Sequence, residues 1–296
     1  MSKKFKSGFA AIIGMPNVGK STLLNTIAGQ KIAIISNKPQ TTRSKILAIY
    51  TTDDYQIVFT DTPGIHKPHN KLGEYMVKLA NESMNEMDAV LFVVDATKPI
   101  AQTEKEIAKN IGKTGVPAIL IINKVDALKK EQLLPIIADY SNLYNFASIV
   151  PISAKTGDGV DILLNDIEEL LHEGPKYYYD DMVTDQPEKQ IAAEIIREKL
   201  LWLLDKEVPH GIAIEIDKMQ EKENITNIYA TIYCEKASHK GIVIGKNGEM
   251  LKKAGQLARA DIEEMLDKKV YLELWVRVKN DWRNSDRMIK NFGYEV

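Results

Sequence analysis

The sequence predicts an α/β domain built on a mostly parallel sheet, followed by a smaller α+β domain. Two observations carry this. Up to about Leu171, short continuous apolar runs alternate with helical stretches, whereas from Glu188 the order becomes helix, two strands, helix, strand. Strands that are apolar throughout suit a sheet covered on both faces, and strict alternation with helices makes neighbouring strands parallel. At 296 residues the chain is long enough for two separate cores.

Phe9–Ile13 is a strand that runs into a glycine-rich loop, and Ser21–Ala28 is the helix after it. Lys45–Tyr50 and Gln56–Thr60 flank Thr51-Thr52-Asp53-Asp54, a polar turn that predicts a hairpin-like pair. Ala89–Val94, Ala118–Ile122 and Ser148–Ile152 are further apolar runs, each followed by polar or motif residues. Ligand residues just past strand carboxyl ends are the arrangement of an open α/β sheet that binds at that edge. Asp161–Leu171 is an amphipathic helix stopped by Gly174-Pro175, so the first domain is placed at 1–172 and a connector at 173–187. Tyr177-Tyr178-Tyr179 in the connector is expected to pack it onto its neighbours.

The second domain is placed at 188–296. Glu188–Asp205 puts Ile191, Ile195, Leu200 and Leu204 on one helix face. Ile212–Lys218, Asn227–Glu235 and Val270–Lys279 are strands, with a glycine-rich segment and a helix, Met250–Leu266, before the third. Trp275, on that alternating third strand, is expected in the core. No internal repeat is visible, which argues against duplicated nucleotide domains.

A net charge of −2 provides no global field for nucleic acid, so such a partner needs a local patch. The single cysteine, Cys234, excludes an internal disulfide and a thiolate zinc cluster, in keeping with a reducing cytoplasm. No apolar stretch approaches the length of a membrane span.

Four motifs, in order, carry the chemistry. Gly14-Met15-Pro16-Asn17-Val18-Gly19-Lys20-Ser21, with Thr22 after it, lies between a strand and a helix. Its glycines let backbone N–H groups face phosphate oxygens, and the helix start adds a positive dipole end. Lys20 reaches the β and γ phosphates, and the Ser21 hydroxyl joins a Mg²⁺ shell. Asp61-Thr62-Pro63-Gly64 ends a strand; Asp61 is placed to hold Mg²⁺ through water, and the Gly64 N–H to meet the γ-phosphate. Asn123-Lys124-Val125-Asp126 selects the base, because a carboxylate at Asp126 can accept from both N1–H and the exocyclic amine of guanine, donors that adenine lacks. Asn123 braces the loop and Lys124 covers the ring with its stem. In Ser153-Ala154-Lys155, the Ala154 N–H is placed to donate to guanine O6. A glycine-rich turn alone would say only that phosphate binds; the ordered set reads as GTP or GDP with Mg²⁺.

These motifs resemble those of the translation-factor-like P-loop GTPases, and Lys38-Pro39-Gln40-Thr41-Thr42-Arg43 resembles the first switch of the Era branch. In that branch a threonine of this stretch ligates Mg²⁺ in the GTP state. Either threonine fits the register, and Thr42, directly before the arginine, is preferred. The position after Gly64 is Ile65, where Ras-like proteins place a water-orienting glutamine. Slow intrinsic hydrolysis follows, with Lys20, Thr42, Gly64 and Asn17 as the catalytic set. The resemblance also implies that Asn17 helps hold a K⁺ that stands in for an arginine finger. The plain alternative is an asparagine that only shapes the turn.

Gly241-Ile242-Val243-Ile244-Gly245-Lys246-Asn247-Gly248 contains a step that resembles the Gly-x-x-Gly loop of KH domains, here of the type II-like order. Ile242–Ile244 are expected to floor a base-reading groove. Lys236, Lys240, Lys246, Lys252, Lys253 and Arg259 stand against Glu249 alone between 236 and 259. Lys279 and Arg283, near the end of the chain, are further candidates for RNA contact. The tail from Leu272 to Tyr294 resembles that of the Era family, so the resemblance spans essentially the whole chain. It implies a monomeric GTPase switch that binds 16S rRNA on the small ribosomal subunit and acts in 30S assembly, cytoplasmic with a peripheral membrane fraction. Contacts of Thr42 and Gly64 with the γ-phosphate are expected to order both switch loops, and the linker around Lys176–Pro187 to let the RNA domain take a different pose in the GTP state. The alternatives are a nucleotide-stabilised RNA-binding module with little turnover, a GTPase acting on another RNA, and an ATP-using P-loop enzyme, which Asp126 disfavours.

Overall fold

A computed structural model of the chain describes residues 4–38, 40–85 and 87–294. Pro39 of the switch-like stretch and Met1–Lys3 of the basic N-terminus lie outside the described residues. The chain divides into two compact units: Met1–Ala33, Thr42–Lys67 and Met76–Asp185 form the first, and Ile34–Thr41, Pro68–Tyr75 and Gln186–Val296 the second. Two short segments of the stretch 1–172 thus group with the second unit, and residues up to Asp185 with the first.

In chain order the first part contains β1 (Lys6–Gly14), α1 (Lys20–Ala28), β2 (Ile46–Thr51), β3 (Tyr55–Asp61), α2 (Lys71–Glu82), β4 (Ala89–Asp95), α3 (Gln102–Thr114), β5 (Ala118–Asn123), α4 (Leu133–Ser141), β6 (Ser148–Pro151), α5 (Val160–Leu170) and β7 (His172–Glu173). The strand order is β2-β3-β1-β4-β5-β6, parallel except for the antiparallel β2–β3 pair. Alternate residues of β1 feed different cores. Ala10 and Ile12 pack with Leu23, Leu24, Leu163 and Ile167 of α1 and α5, while Ala11 and Ile13 pack with Ile107, Ile111 and Tyr140 of α3 and α4. The sheet is therefore covered on both faces, which is why its strands are apolar throughout.

The two-residue strand β7, antiparallel to β1 at Lys6 and Ser7, is too short to be read from sequence. The connector packs on the first unit as its tyrosines suggest. Tyr177 lies against Phe9 with ring centroids 4.8 Å apart, and the N–H groups of Tyr177 and Tyr178 both donate to Gln56 Oε1. Tyr179 is exposed.

The second unit contains α6 (Glu188–Leu203), β8 (Ile212–Glu221), β9 (Ile225–Cys234), α7 (Ala237–Ile244), α8 (Glu249–Leu266), β10 (Lys269–Val278) and α9 (Asp286–Asn291). Its sheet runs β10-β9-β8, with β10 parallel and β8 antiparallel to β9. Ile195, Leu200, Ala254, Ala258 and Ile262 from α6 and α8 cover one face with Ile214, Ile232, Val270 and Val276. Helix α7 lies within the glycine-rich segment. Gly241 and three β-branched residues argue against a helix locally, yet Val243 is fully buried in the core, so tertiary packing decides.

Trp275 corrects an expectation: it is 55% exposed. Edge strand β10 points Val270, Leu272, Leu274 and Val276 toward the helices, leaving Tyr271 and Trp275 on the other face. The fully buried tryptophan is Trp282, whose Nε1–H donates to Gly211 O at 2.9 Å and whose ring meets Phe292 edge-on. All three tryptophans, Trp202, Trp275 and Trp282, belong to the second unit, so their fluorescence reports on it alone. Trp282→Ala is expected to destabilise that unit by about 3–5 kcal/mol. Urea unfolding followed by tryptophan emission, read against first-unit melting by guanine-nucleotide binding, measures it.

Candidate nucleotide site and nucleic-acid groove

The first-unit motifs converge at the carboxyl ends of β1, β3, β5 and β6. Lys20 opens α1 and is 5% exposed; its Nζ donates to Gly14 O (3.2 Å) and Met15 O (3.0 Å) of its own loop. Burial pulls its pKa down to about 8, against the opposing pull of Asp61. Asp61, at the end of β3, is fully buried. Burial pushes its pKa up despite Lys20 and hydrogen bonds from Ser21 and Thr42. Ser21 Oγ donates to Asp61 Oδ2 at 2.7 Å and lies 2.9 Å from Thr42 Oγ1, which is 3.4 Å from the same carboxylate oxygen. Thr41 instead turns its hydroxyl to Lys38 O. Of the two threonines that fit the register, Thr42 is the one brought to Ser21 and Asp61.

Three oxygens from three elements within hydrogen-bond distance, with Asp61 Oδ1 buried and lacking a hydrogen-bond partner, are a donor set suited to a hard divalent cation. Ser21, Thr42 and Asp61 could hold Mg²⁺. Gly64 brings its main chain close to the loop: a Cβ there would lie 2.7 Å from Pro16 N. Ile65 packs against the apolar cluster of β1, β4 and β5, and its N–H donates to Gly14 O. Its side chain therefore serves the core and has no polar group for water. Asn17 adopts a left-handed φ of 65°, a conformation asparagine tolerates, so the turn-shaping role is met whatever its amide does.

At the base end, Asn123 is buried and its carboxamide joins three loops. Nδ2 donates to Val18 O (2.7 Å), and Oδ1 accepts from Lys124 N (2.8 Å) and Ala154 N (2.9 Å). The Ala154 N–H expected at guanine O6 is directed at Asn123 here. A Cβ on Gly19 (φ 105°) would lie 2.1 Å from Asn123 Nδ2, so only glycine fits. Asp126 is exposed, and Lys124 Nζ donates to Asn17 O (2.8 Å) and Asp95 Oδ2 (2.7 Å). Asp95, 2% exposed at the end of β4, is a residue that sequence reasoning missed. Burial raises its pKa, but hydrogen bonds from Lys124 and Thr97 outweigh that and hold it below the usual carboxylate value. Its signal was the position after an apolar run, the same as that of Asp61. Thr26 of α1 ties in the 153–155 loop by donating to Ala154 O at 2.6 Å; Ser153 is buried and Lys155 exposed.

In the second unit, Gly245, Lys246, Asn247 and Gly248 join α7 to α8, with Lys246 and Asn247 exposed at the tip. A groove of about 400 Å³ continues from Gly248 between α8 and β10. Its walls are Leu251, Lys252, Gly255, Gln256 and Arg259 on the helix and Leu272, Glu273 and Leu274 on the strand. The apolar floor expected at Ile242–Ile244 is thus supplied elsewhere: Ile242 is half exposed on α7 and Ile244 packs on the core. The i, i+4 rows Gly248–Lys252–Gln256 and Leu251–Gly255–Arg259 were the overlooked signal. Gly241 on α7 and Lys253 on α8 are exposed and do not line this groove. Arg283 is a correction: its guanidinium donates to Glu235 (Nε at 3.0 Å) and is mostly buried, so it is a structural ion pair. Lys279 lines a different concavity, with Tyr233, Arg287 and Phe292.

Residues 9–124 match the family model described as 50S ribosome-binding GTPase, and residues 207–283 match the KH domain model. GTPase Era of Ruminiclostridium cellulolyticum is 56% identical over 99% of this chain and 98% of its own length. GTPase Era of Caldanaerobacter subterraneus subsp. tengcongensis is 49% identical over 99% of both. The crystal structure of a tyrosine-to-alanine variant of Aquifex aeolicus Era bound to GDP·AlF4⁻ superimposes with a TM-score of 0.96 at 40% identity, covering 99% of this chain and 100% of that one. Era in complex with MgGDPNP and nucleotides 1506–1542 of 16S ribosomal RNA gives 0.95 at the same identity and coverage. A nucleotide-motif unit followed by a KH unit, matched over nearly the full length of both relatives, leaves one conclusion: the chain belongs to the Era family of GTPases.

Proposed function

We propose that this chain is a slow GTP-hydrolysing switch that binds the 3′ region of 16S rRNA through its α8–β10 groove and acts in assembly of the small ribosomal subunit. The observation that carries the reading is the meeting of Ser21, Thr42 and Asp61 beside Lys20, with Asp126 exposed at the base end of the same strand edge. Lys20 and the N–H groups of the 14–21 loop bind and orient the phosphates; Gly64 meets the γ-phosphate; Asp126 selects guanine. Mg²⁺, held by Ser21, Thr42 and Asp61, would supply Lewis-acid stabilisation of charge on the phosphates. K⁺ beside Asn17 adds the positive charge that an arginine finger would otherwise supply. The related complex carrying a 16S rRNA fragment supports the RNA assignment, and the exposed Lys246, Lys252 and Arg259 match a phosphate backbone in charge. The protein is read as a cytoplasmic monomer with a peripheral membrane fraction.

Single-turnover hydrolysis of GTP with Mg²⁺, with and without a 16S 3′-end RNA, tests the whole reading. Turnover that the RNA raises is expected; no hydrolysis in either condition would leave a nucleotide-stabilised binding module. Asp126→Ala removes both guanine contacts at an exposed position, so GTP affinity is expected to fall at least about 100-fold, with the melting temperature unchanged. Fluorescent-nucleotide titration measures it. Gly245 cannot accept a side chain, since a Cβ would lie 2.7 Å from Met250 Cβ, so the groove is better tested at its tip. Lys246→Asp with Asn247→Asp keeps both glycines and a residue that tolerates the φ of 52° at 247. RNA affinity is expected to fall at least about tenfold with GTP affinity retained. Finally, hydrolysis is expected to run about fivefold or more faster in K⁺ than in Na⁺ at matched ionic strength. Asn17→Gly, which keeps the left-handed turn, is expected to abolish that difference; equal wild-type rates in the two salts would remove K⁺ from the mechanism.

A further inference from the structure

Helix α6 carries three consecutive charged residues, Arg197, Glu198 and Lys199, that are all buried: 0, 1 and 2% exposed. A helix needs no such row to cover a sheet, and isolated buried charges are strongly disfavoured. Their partners explain them. Glu198 Oε1 accepts from the Ile35 N–H at 2.8 Å, and the Trp202 indole N–H donates to Ile35 O at 2.8 Å, so one residue's main chain is held at both its polar groups. Arg197 donates through Nη2 to Thr41 O and pairs with Glu194. Lys199 backs the arrangement: its Nζ lies 2.9 Å from Glu198 Oε2, 2.5 Å from Asp261 Oδ2 of α8, and 4.0 Å from the Trp202 ring centroid. Lys38 adds an ion pair to Asp205 just beyond the helix. Segment 34–41 is therefore seated on α6 at both ends, and the next residue in the chain is Thr42.

We propose that α6 is the positioning element for hydrolysis: Arg197, Glu198 and Trp202 hold the main chain at Ile35 and Thr41 so that the Thr42 hydroxyl stays with Ser21 and Asp61. These are positioning residues, since they act through Thr42 and touch no part of the reacting groups. The inference rests on the proposed GTPase reading. It adds that hydrolysis depends on side chains of the RNA-binding unit, and it predicts a particular split. Thr42 serves the γ-phosphate state, so loosening 34–41 slows hydrolysis and leaves GDP binding alone. Asp261 sits on α8, the helix that walls the RNA groove, which gives RNA a covalently continuous element through which to load the same seat.

The test uses the full chain with Trp202→Phe and, separately, Arg197→Met and Arg197→Lys. Trp202 is half exposed and phenylalanine keeps a ring for Lys199, so Trp202→Phe removes one hydrogen bond without opening the core. Single-turnover GTP hydrolysis is expected to fall about fivefold in Trp202→Phe and further in Arg197→Met, with Arg197→Lys between wild type and Arg197→Met. GDP affinity is expected to stay within about twofold in all three. Wild-type rates in folded Trp202→Phe and Arg197→Met, or equal losses of GDP and GTP binding, would overturn the proposal. A wild-type chain without GTP hydrolysis, read before any variant, would instead overturn the proposed function.

Discussion

The nucleotide site depends on one carboxamide. Asn123 ends β5 with its side chain turned inward, donating to Val18 of the phosphate loop and accepting from Ala154 of the loop after β6. Three loops from three strands are therefore held by a single planar group with fixed donor and acceptor directions. A buried amide left half satisfied is unfavourable by about 1–3 kcal/mol per lost partner, so the three loops must move together or not at all. The requirement propagates outward. Gly19 must lack a Cβ because Asn123 Nδ2 fills that space, and Lys124, the next residue, is committed to a left-handed φ of 68° that sends its Nζ to Asp95 and Asn17.

Much of this was legible in the sequence because the relevant constraints are local. A glycine-rich loop between strand and helix, a carboxylate at a strand end and the Asn123–Asp126 run each state their chemistry within about four to eight residues. What was not legible depends on partners far along the chain. The choice of Thr42 over Thr41 follows from Ser21 and Asp61, which are 21 and 19 residues away. Asp95 looks like any polar residue after a strand until Lys124 is placed beside it. Arg283 reads as a free cation until Glu235, 48 residues earlier, takes its guanidinium. Helix α7 exists because Val243 has a core to enter, a fact that no window of neighbouring residues contains.

The second unit shows how a three-stranded sheet with α6 and α8 on one face assigns two faces to one edge strand. Alternate residues of β10 enter the core or wall the groove, while Tyr271 and Trp275 stand on the opposite face, where Tyr271 meets Tyr229 and Tyr233 of β9 meets Phe292. Aromatic residues at alternating positions therefore predict a strand correctly and a burial state incorrectly, since burial depends on whether a second layer exists. Trp282 illustrates the converse. It follows the strand, lies in a short turn of helix and is nonetheless fully buried, because Phe292, Tyr294 and Gly211 surround it.

The buried charges of α6 raise a question of specificity rather than stability. The helix already supplies Ile191, Ile195, Ile196 and Leu200 to the core, and replacing buried ions by apolar side chains is often neutral or stabilising. Apolar contacts with segment 34–41 would tolerate sliding, because dispersion varies gently with register. Hydrogen bonds to the main chain of Ile35 and Thr41 do not, since they weaken steeply with misdirection and take one bond each from Glu198 and Arg197 at buried positions. Lys199 sharpens this further, being already committed to Glu198 and Asp261, so that none of the three can reorganise independently of the others. Seating the segment through charges and backbone atoms therefore favours two discrete arrangements, engaged or detached, over a continuum of loosened ones.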